Sequence, residues 1–156
     1  MKIIGVDPGT ATTGVGIIEG SKKAGFVCKD YFCITTKAKL DIDERLNQIY
    51  KELNKAIKKE KPDVLSIEEL FFNTNPKTAM SVGRASGAII LCGSLNKVKV
   101  VEFTPLQVKI AITGYGRAEK IQVQKMVAVI LKLKEIPKPD DAADALAIAL
   151  TAGLSF

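Results

Sequence analysis

The sequence predicts an α/β domain: one mixed five-stranded sheet, an antiparallel meander on one side and parallel strands on the other, flanked by helices. Two observations carry this expectation. The first 35 residues read as three consecutive strands joined by short turns. Beyond residue 40 the apolar spacing becomes helical and alternates with short apolar runs, and a strand–helix–strand step normally makes a right-handed parallel crossover in one sheet. A chain of 156 residues fits one domain, 1–156. It can bury about 70% of its unfolded surface, so it needs neither metal nor disulfide to hold a core.

Each element has a local reason. Lys2 to Asp7 is apolar on both faces, rich in β-branched residues and stopped by Pro8-Gly9, as a central strand should be. Thr12 to Ile18 and Gly25 to Thr35 supply the second and third strands, with a turn near Gly20-Ser21. From Asp41 to Lys59, Leu46, Ile49, Leu53 and Ile57 recur at helical spacing with lysines opposite, and Pro62 ends that helix. Asp63 to Glu68 is expected as the fourth strand, Pro76 to Leu95 as a helix, and Lys97 to Phe103 as the fifth strand. Thr104-Pro105 opens a short helix, a hydroxyl cap followed by proline at the first helical position. Val123, Met126, Val127 and Ile130 mark another helix, and after Pro137 and Pro139 a last one is expected from Asp141 to Thr151.

Composition narrows the chemistry. Apolar residues make up 47% and charged residues 26%, which is globular usage. Histidine is absent, which removes Ser-His and Cys-His nucleophiles, His-bound zinc and imidazole general bases together. Cys28, Cys33 and Cys92 form no CxxC pair and read as small buried hydrophobes in a reducing compartment. No apolar run looks long enough to span a bilayer and no leader precedes the first strand, so the expectation is a soluble, cytoplasmic protein with no membrane partner. The net charge of +6 suits a polyanionic partner, although lysine also serves solubility.

What remains is carboxylate chemistry. Asp7 and Glu68 close the first and fourth strands; as parallel neighbours they would emerge at one sheet edge, where open α/β sheets place ligands. Asp141 and Asp144 are three apart, so they share a helical face that continues as Ala145 and Ile148 and must pack inward. Each has a bland alternative: Asp7 as a turn residue, Glu68 as a solvated strand end, Asp140 and Asp141 as helix caps. Their conjunction is the argument. Carboxylates gathered at one edge repel, and a divalent cation such as magnesium relieves that repulsion. Two such ions about 4 Å apart would activate a water and stabilise the leaving oxygen of a phosphodiester.

At these residues the sequence closely resembles RuvC-type Holliday-junction resolvases, bacterial nucleases of the ribonuclease-H-like superfamily. The matching stretches are Gly5-Val6-Asp7-Pro8-Gly9-Thr10 with Thr13-Gly14-Val15-Gly16, Ile67-Glu68-Glu69-Leu70-Phe71 and Gln107-Val108-Lys109. They continue through Gly114-Tyr115-Gly116, Ala118-Glu119-Lys120, Gln122-Val123-Gln124 and Asp141 to Ala149, collinear over nearly the whole chain. The resemblance implies a ribonuclease-H-like fold in which Asp7, Glu68, Asp141 and Asp144 hold two Mg2+ ions, with Mn2+ able to substitute. It implies a homodimer that nicks two strands of a four-way DNA junction symmetrically, in recombination and DNA repair, alongside a branch-migration helicase complex.

It also implies positions near DNA. Phe71 matches the aromatic that stacks on or wedges a base, whereas its neighbour Phe72 reads equally as core. Lys109 and Lys120 match lysines close to the cleavage site, and Lys120 is placed among the catalytic residues. Lys77, Arg84 and Arg117 are phosphate contacts by position only. The helix from Pro76 to Leu95 is apolar nearly all round, more than one sheet face can cover, which suggests dimerisation through it; a helix buried within the monomer is the alternative. Two other functions compete with the nuclease. One is a non-catalytic junction-binding module. The other is an actin-like or sugar-kinase-type ATP-binding domain, because Asp7-Pro8-Gly9-Thr10 also resembles a phosphate loop.

Overall fold

The computed structural model describes residues 1–69 and 76–156. In chain order the elements are β1 (Lys2–Asp7), β2 (Thr12–Ser21), β3 (Gly25–Thr35), α1 (Ile42–Glu60), β4 (Val64–Glu68), α2 (Pro76–Leu95), β5 (Lys99–Phe103), α3 (Pro105–Thr113), α4 (Lys120–Ile130) and α5 (Asp140–Ser155). The strands form one five-stranded sheet in the order β3-β2-β1-β4-β5. β1 runs antiparallel to β2 and β2 to β3, while β1–β4 and β4–β5 are parallel. The expected meander and parallel half therefore meet at β1.

Strand alternation sorts the side chains into two cores. On one face Ile4, Val6, Val15, Ile17, Leu65 and Ile67 pack with Ile49, Leu53 and Ile57 of α1 and Ala85, Ile89 and Cys92 of α2. On the other, Ile3, Ile18 and Val64 pack with Val108 of α3, Val123 and Val127 of α4, and Leu146, Ile148 and Leu150 of α5. The second face is where α5 crosses β1 and β2, and it crosses at backbone contact. A Cβ added at Gly5 would lie 2.5 Å from the Ala149 nitrogen, and one at Gly16 would lie 2.6 Å from the Leu146 nitrogen. At Gly14 the added carbon would overlap the Asp141 carbonyl. The alanines at 142, 143, 145, 147, 149 and 152 keep the helix slim enough to sit there.

Boundaries differ from the sequence reading by one residue in α1 and β4 and further in β2, β5 and α5. β2 continues through Gly20-Ser21 because both residues pair with Phe26 and Gly25 of β3. β5 starts at Lys99 rather than at Lys97, whose left-handed backbone (φ 57) closes the turn after α2. α5 begins at Asp140 and runs on to Ser155, although Gly153 is a poor helix former. The Phe26 ring packs directly on Gly153, where a side chain would collide with it. Of the three cysteines only Cys92 is buried; Cys28 and Cys33 are half-buried on the outer strand β3, and all three are free.

Helix α2 also requires a correction. Thr78–Leu95 is long and apolar enough, by length and composition, to cross a membrane, against the expectation that no run is. Its glycines, alanines and serines interrupt the apolar run without lowering its average far. One face packs on the core through Ala79, Ala85, Ile89 and Cys92, while Met80, Leu91 and Leu95 remain 62%, 54% and 61% exposed.

The α5 crossing is directly testable. Gly14→Ala places a methyl against backbone, which cannot rotate aside. The variant is expected to lose roughly 1–3 kcal/mol or more of stability, read by urea denaturation. An unchanged midpoint would mean that α5 is not held at this distance.

Candidate active site

The same alternation that builds the cores aims two carboxylates. Ile3, Gly5 and Asp7 of β1, and Val64, Ser66 and Glu68 of β4, share the face beneath α5. The parallel register pairs Gly5 with Ser66 and Val6 with Ile67, which leaves Asp7 and Glu68 side by side where the strands end. Ser66 fixes the distance to α5, its hydroxyl donating to the Ile148 carbonyl at 3.1 Å. Asp7 also lies opposite Gly14 on β2, the position on which the Asp141 carbonyl rests. The start of α5 is thereby brought over the end of β1, and Asp141 and Asp144 come to the same edge as Asp7 and Glu68.

The electrostatics record this crowding. Burial, reinforced by Glu68, Asp144 and Asp141, pushes Asp7 up from 3.8 to about 7. Burial also raises Glu68, with Asp144 adding to it and Lys120 opposing. Asp144 is raised by burial too, while Lys120 and Gln124 pull it down. Lys120 supplies the counter-charge, its Nζ lying 2.7 Å from Asp144 Oδ2 and 3.8 Å from Asp140 Oδ2. Desolvation works against its charge, but the contacts with Asp144 and the pull of Asp140 and Asp7 more than offset it, so its pKa is raised.

A cleft of about 180 Å³ opens beside this edge, lined by Glu68, Asp144, Lys109 and Lys120 over an apolar floor that includes Val108 and Val123. Lys109 thus joins the carboxylates from α3, and Lys120 from the first turn of α4. Arg84 is exposed on α2, its guanidinium 3.6 Å from Met80 Sδ. That helix is tied to the loop after Asp7 by a 2.6 Å hydrogen bond between the hydroxyls of Ser81 and Thr10. Arg117 is exposed in the turn between α3 and α4, apart from the cleft lining. Phe71 and Phe72 lie outside the described residues, as does the side chain of Lys77. Gln124, named in the sequence only within a matching stretch and given no role there, is buried on α4 against Asp144. Its spacing of four residues from Lys120 was the signal available.

The residues fit a hard divalent cation in kind: four carboxylates, all oxygen donors, buried enough to repel one another. Among the described residues no three acidic or sulfur side chains are drawn tightly enough together to ligate one ion as they stand. Asp144 is paired with Lys120.

Sheet order, helical cover and the acidic edge together define a ribonuclease-H-like fold carrying a nuclease-type site. Comparison with known proteins narrows this class. The family model described as crossover junction endodeoxyribonuclease RuvC matches residues 3–152. The RuvC of Fusobacterium nucleatum is 52% identical over 151 residues, covering 97% of this chain and 79% of that protein. The RuvC of Caldicellulosiruptor saccharolyticus is 53% identical over 150 residues, covering 96% and 90%. The solved structure of Thermus thermophilus RuvC in complex with a Holliday junction substrate superposes with a TM-score of 0.93 at 34% identity, covering 99% of this chain and 94% of that one. The chain belongs to the RuvC family of crossover junction endodeoxyribonucleases. The ATP-binding and non-catalytic alternatives are not favoured.

The raised Asp7 pKa has a consequence for stability. In the unfolded chain Asp7 ionises near 3.8, in the folded protein near 7. Metal-free protein should therefore lose stability as pH rises from about 4 to about 7, because folding holds a proton that the unfolded state has released. Asp7→Asn removes this cost. Without divalent cations its melting temperature should match the wild type near pH 4 and exceed it by several degrees at pH 7.5, on the order of one to a few kcal/mol. A gap that is constant across this range would contradict the shift.

Proposed function

We propose that this protein is a structure-selective endonuclease that resolves four-way DNA junctions by paired symmetric nicks, and that Asp7, Glu68, Asp141 and Asp144 hold its magnesium. The observation that carries the reading is the convergence of these four carboxylates at one sheet edge in a chain of the RuvC family. Two magnesium ions, when bound, activate a water and stabilise the leaving oxygen of the phosphodiester, and manganese can replace them. Asp7 and Glu68 present their carboxylates from the rigid sheet, Asp141 and Asp144 from α5, so the ligands come from two elements locked at backbone contact. Lys120, half-exposed and paired with Asp144, would donate to the scissile phosphate if a bound cation neutralised that carboxylate. Lys109, which lines the same cleft, binds the neighbouring phosphate. Phe71, Lys77, Arg84 and Arg117 are further DNA contacts in this reading.

Residues 1–156 act as one nuclease domain, with a core on each face of one sheet. Two copies pair through the uncovered face of α2, where Met80, Leu91 and Leu95 form an apolar stripe. A two-fold pair sets the separation of two active sites and matches the symmetry of the junction. The protein works in the cytoplasm beside a branch-migration helicase.

The reading is tested by incubating the protein with a mobile four-way junction, with and without magnesium, and mapping nicks on a denaturing gel. Paired nicks at symmetric positions are expected only with metal, and junction binding should weaken steeply with salt. Asp7→Asn should abolish cutting and keep binding; retained cleavage would remove Asp7 from the metal site. Binding without nicks under magnesium and manganese would leave a non-catalytic module, and equal cutting of plain duplex a less selective nuclease.

The dimer is tested separately. Leu91→Lys with Leu95→Lys should convert the protein from a dimer to a monomer at micromolar concentration, read by light scattering. A monomeric wild type would refute the pairing.

A further inference from the structure

Helix α4 buries four residues: Val123, Gln124, Val127 and Ala128. Three are apolar and belong in a core. Gln124 is polar and only 5% exposed, and its amide nitrogen has no hydrogen-bond partner among the described residues. A buried donor left unpaired carries a desolvation penalty that a leucine or methionine of similar size would not. Such a group in a native fold calls for an explanation.

Its surroundings supply one. Gln124 follows Lys120 by four residues, so the two side chains occupy one face of α4. Lys120 contacts Asp144 at 2.7 Å, and the Gln124 amide lies near enough to the same carboxylate to act on it, although short of hydrogen-bond geometry. Asp144 therefore has two partners on α4, one cationic and one neutral. A divalent cation competes with the first for the carboxylate charge. It does not compete with the second, because an amide donates hydrogen bonds without carrying charge.

We infer that Gln124 is a positioning residue for Asp144: its amide NH2 completes a hydrogen bond to that carboxylate when Lys120 leaves it, and holds the carboxylate aimed at the metal. The inference rests on the metal-dependent nuclease reading and deepens it. It explains why a donor is buried unsatisfied while Lys120 still occupies Asp144. Ligating carboxylates are themselves held by hydrogen bonds from the surrounding shell, and losing such a bond typically lowers metal affinity or activity about 10–100-fold.

The test uses the DNA-free protein and Mn2+ as the probe. Calorimetric titration should show Gln124→Met binding Mn2+ about 10–100-fold more weakly than the wild type. Its metal-free melting temperature should be equal or higher, because the unpaired donor is gone. Junction cleavage by the variant should need correspondingly more Mn2+ and recover at saturation, a shift in metal half-saturation rather than in turnover. Gln124→Leu should behave alike. In the wild type, which needs no variant to fold, the Gln124 side-chain amide protons followed by NMR should move downfield as Mg2+ is added. Wild-type affinity for Mn2+ in both variants, or amide resonances that ignore Mg2+, would reduce Gln124 to a packing residue and overturn the inference while leaving the nuclease intact. A wild type that neither binds Mn2+ nor cuts the junction would overturn the nuclease reading and this inference with it.

Discussion

The backbone-to-backbone crossing of α5 over β1 and β2 is the constraint on which the rest of the molecule depends. It requires hydrogen in place of a side chain at Gly5, Gly14 and Gly16 and methyl groups along the facing side of α5. Close packing of this kind transmits small displacements, because an interior at crystal-like density has no slack to absorb them. The crossing fixes where α5 begins relative to where β1 ends. It therefore fixes Asp141 and Asp144 relative to Asp7, and Asp7 relative to Glu68 through the β1–β4 register. The Ser66 hydroxyl, bonded to the Ile148 carbonyl, repeats the same attachment further along the helix.

This rigidity has an electrostatic cost. Folding gathers four carboxylates in a partly dehydrated edge, and Asp7 bears the largest recorded consequence. Sites of this kind oppose stability and persist because the surrounding packing over-determines them. Here that packing is the slim α5 and the two cores on either side of the sheet. Lys120 relieves part of the charge, and it does so from α4, an element that rests on α5 rather than on the sheet. Its side chain is about half exposed, whereas Asp7, Glu68 and Asp144 are largely buried.

The two faces of the sheet divide the work. The α5 face carries the acidic edge, with α3 and α4 lining the cleft beside it. The opposite face is a structural support of α1 and α2, and its unfinished part is the apolar outer stripe of α2. A hydrogen bond joins Thr10, in the loop after Asp7, to Ser81 on α2. Through it the helix with the uncovered stripe is tied to the loop that follows the acidic edge.

The amino-acid sequence by itself determined the element order, the mixed sheet and the four carboxylates. Those depend on short-range rules: the alternation that puts Ile3, Gly5 and Asp7 on one face, the three-residue spacing of Asp141 and Asp144, and the Thr104-Pro105 cap. Family motifs collinear with these residues named the chemistry. Tertiary structure alone decided the features set by groups far apart in the chain. The glycines at 14 and 16 read as part of a motif, and only the crossing helix shows that their missing side chains make the contact. Helix α5 outlasts its own propensity because Phe26, more than a hundred residues earlier, packs on Gly153. The pairing of Lys120 with Asp144, and the burial of Gln124 against it, depend on how α4 leans on α5. No local rule encodes that angle, because it is set by which side chains fill the space between two helices once both have already formed.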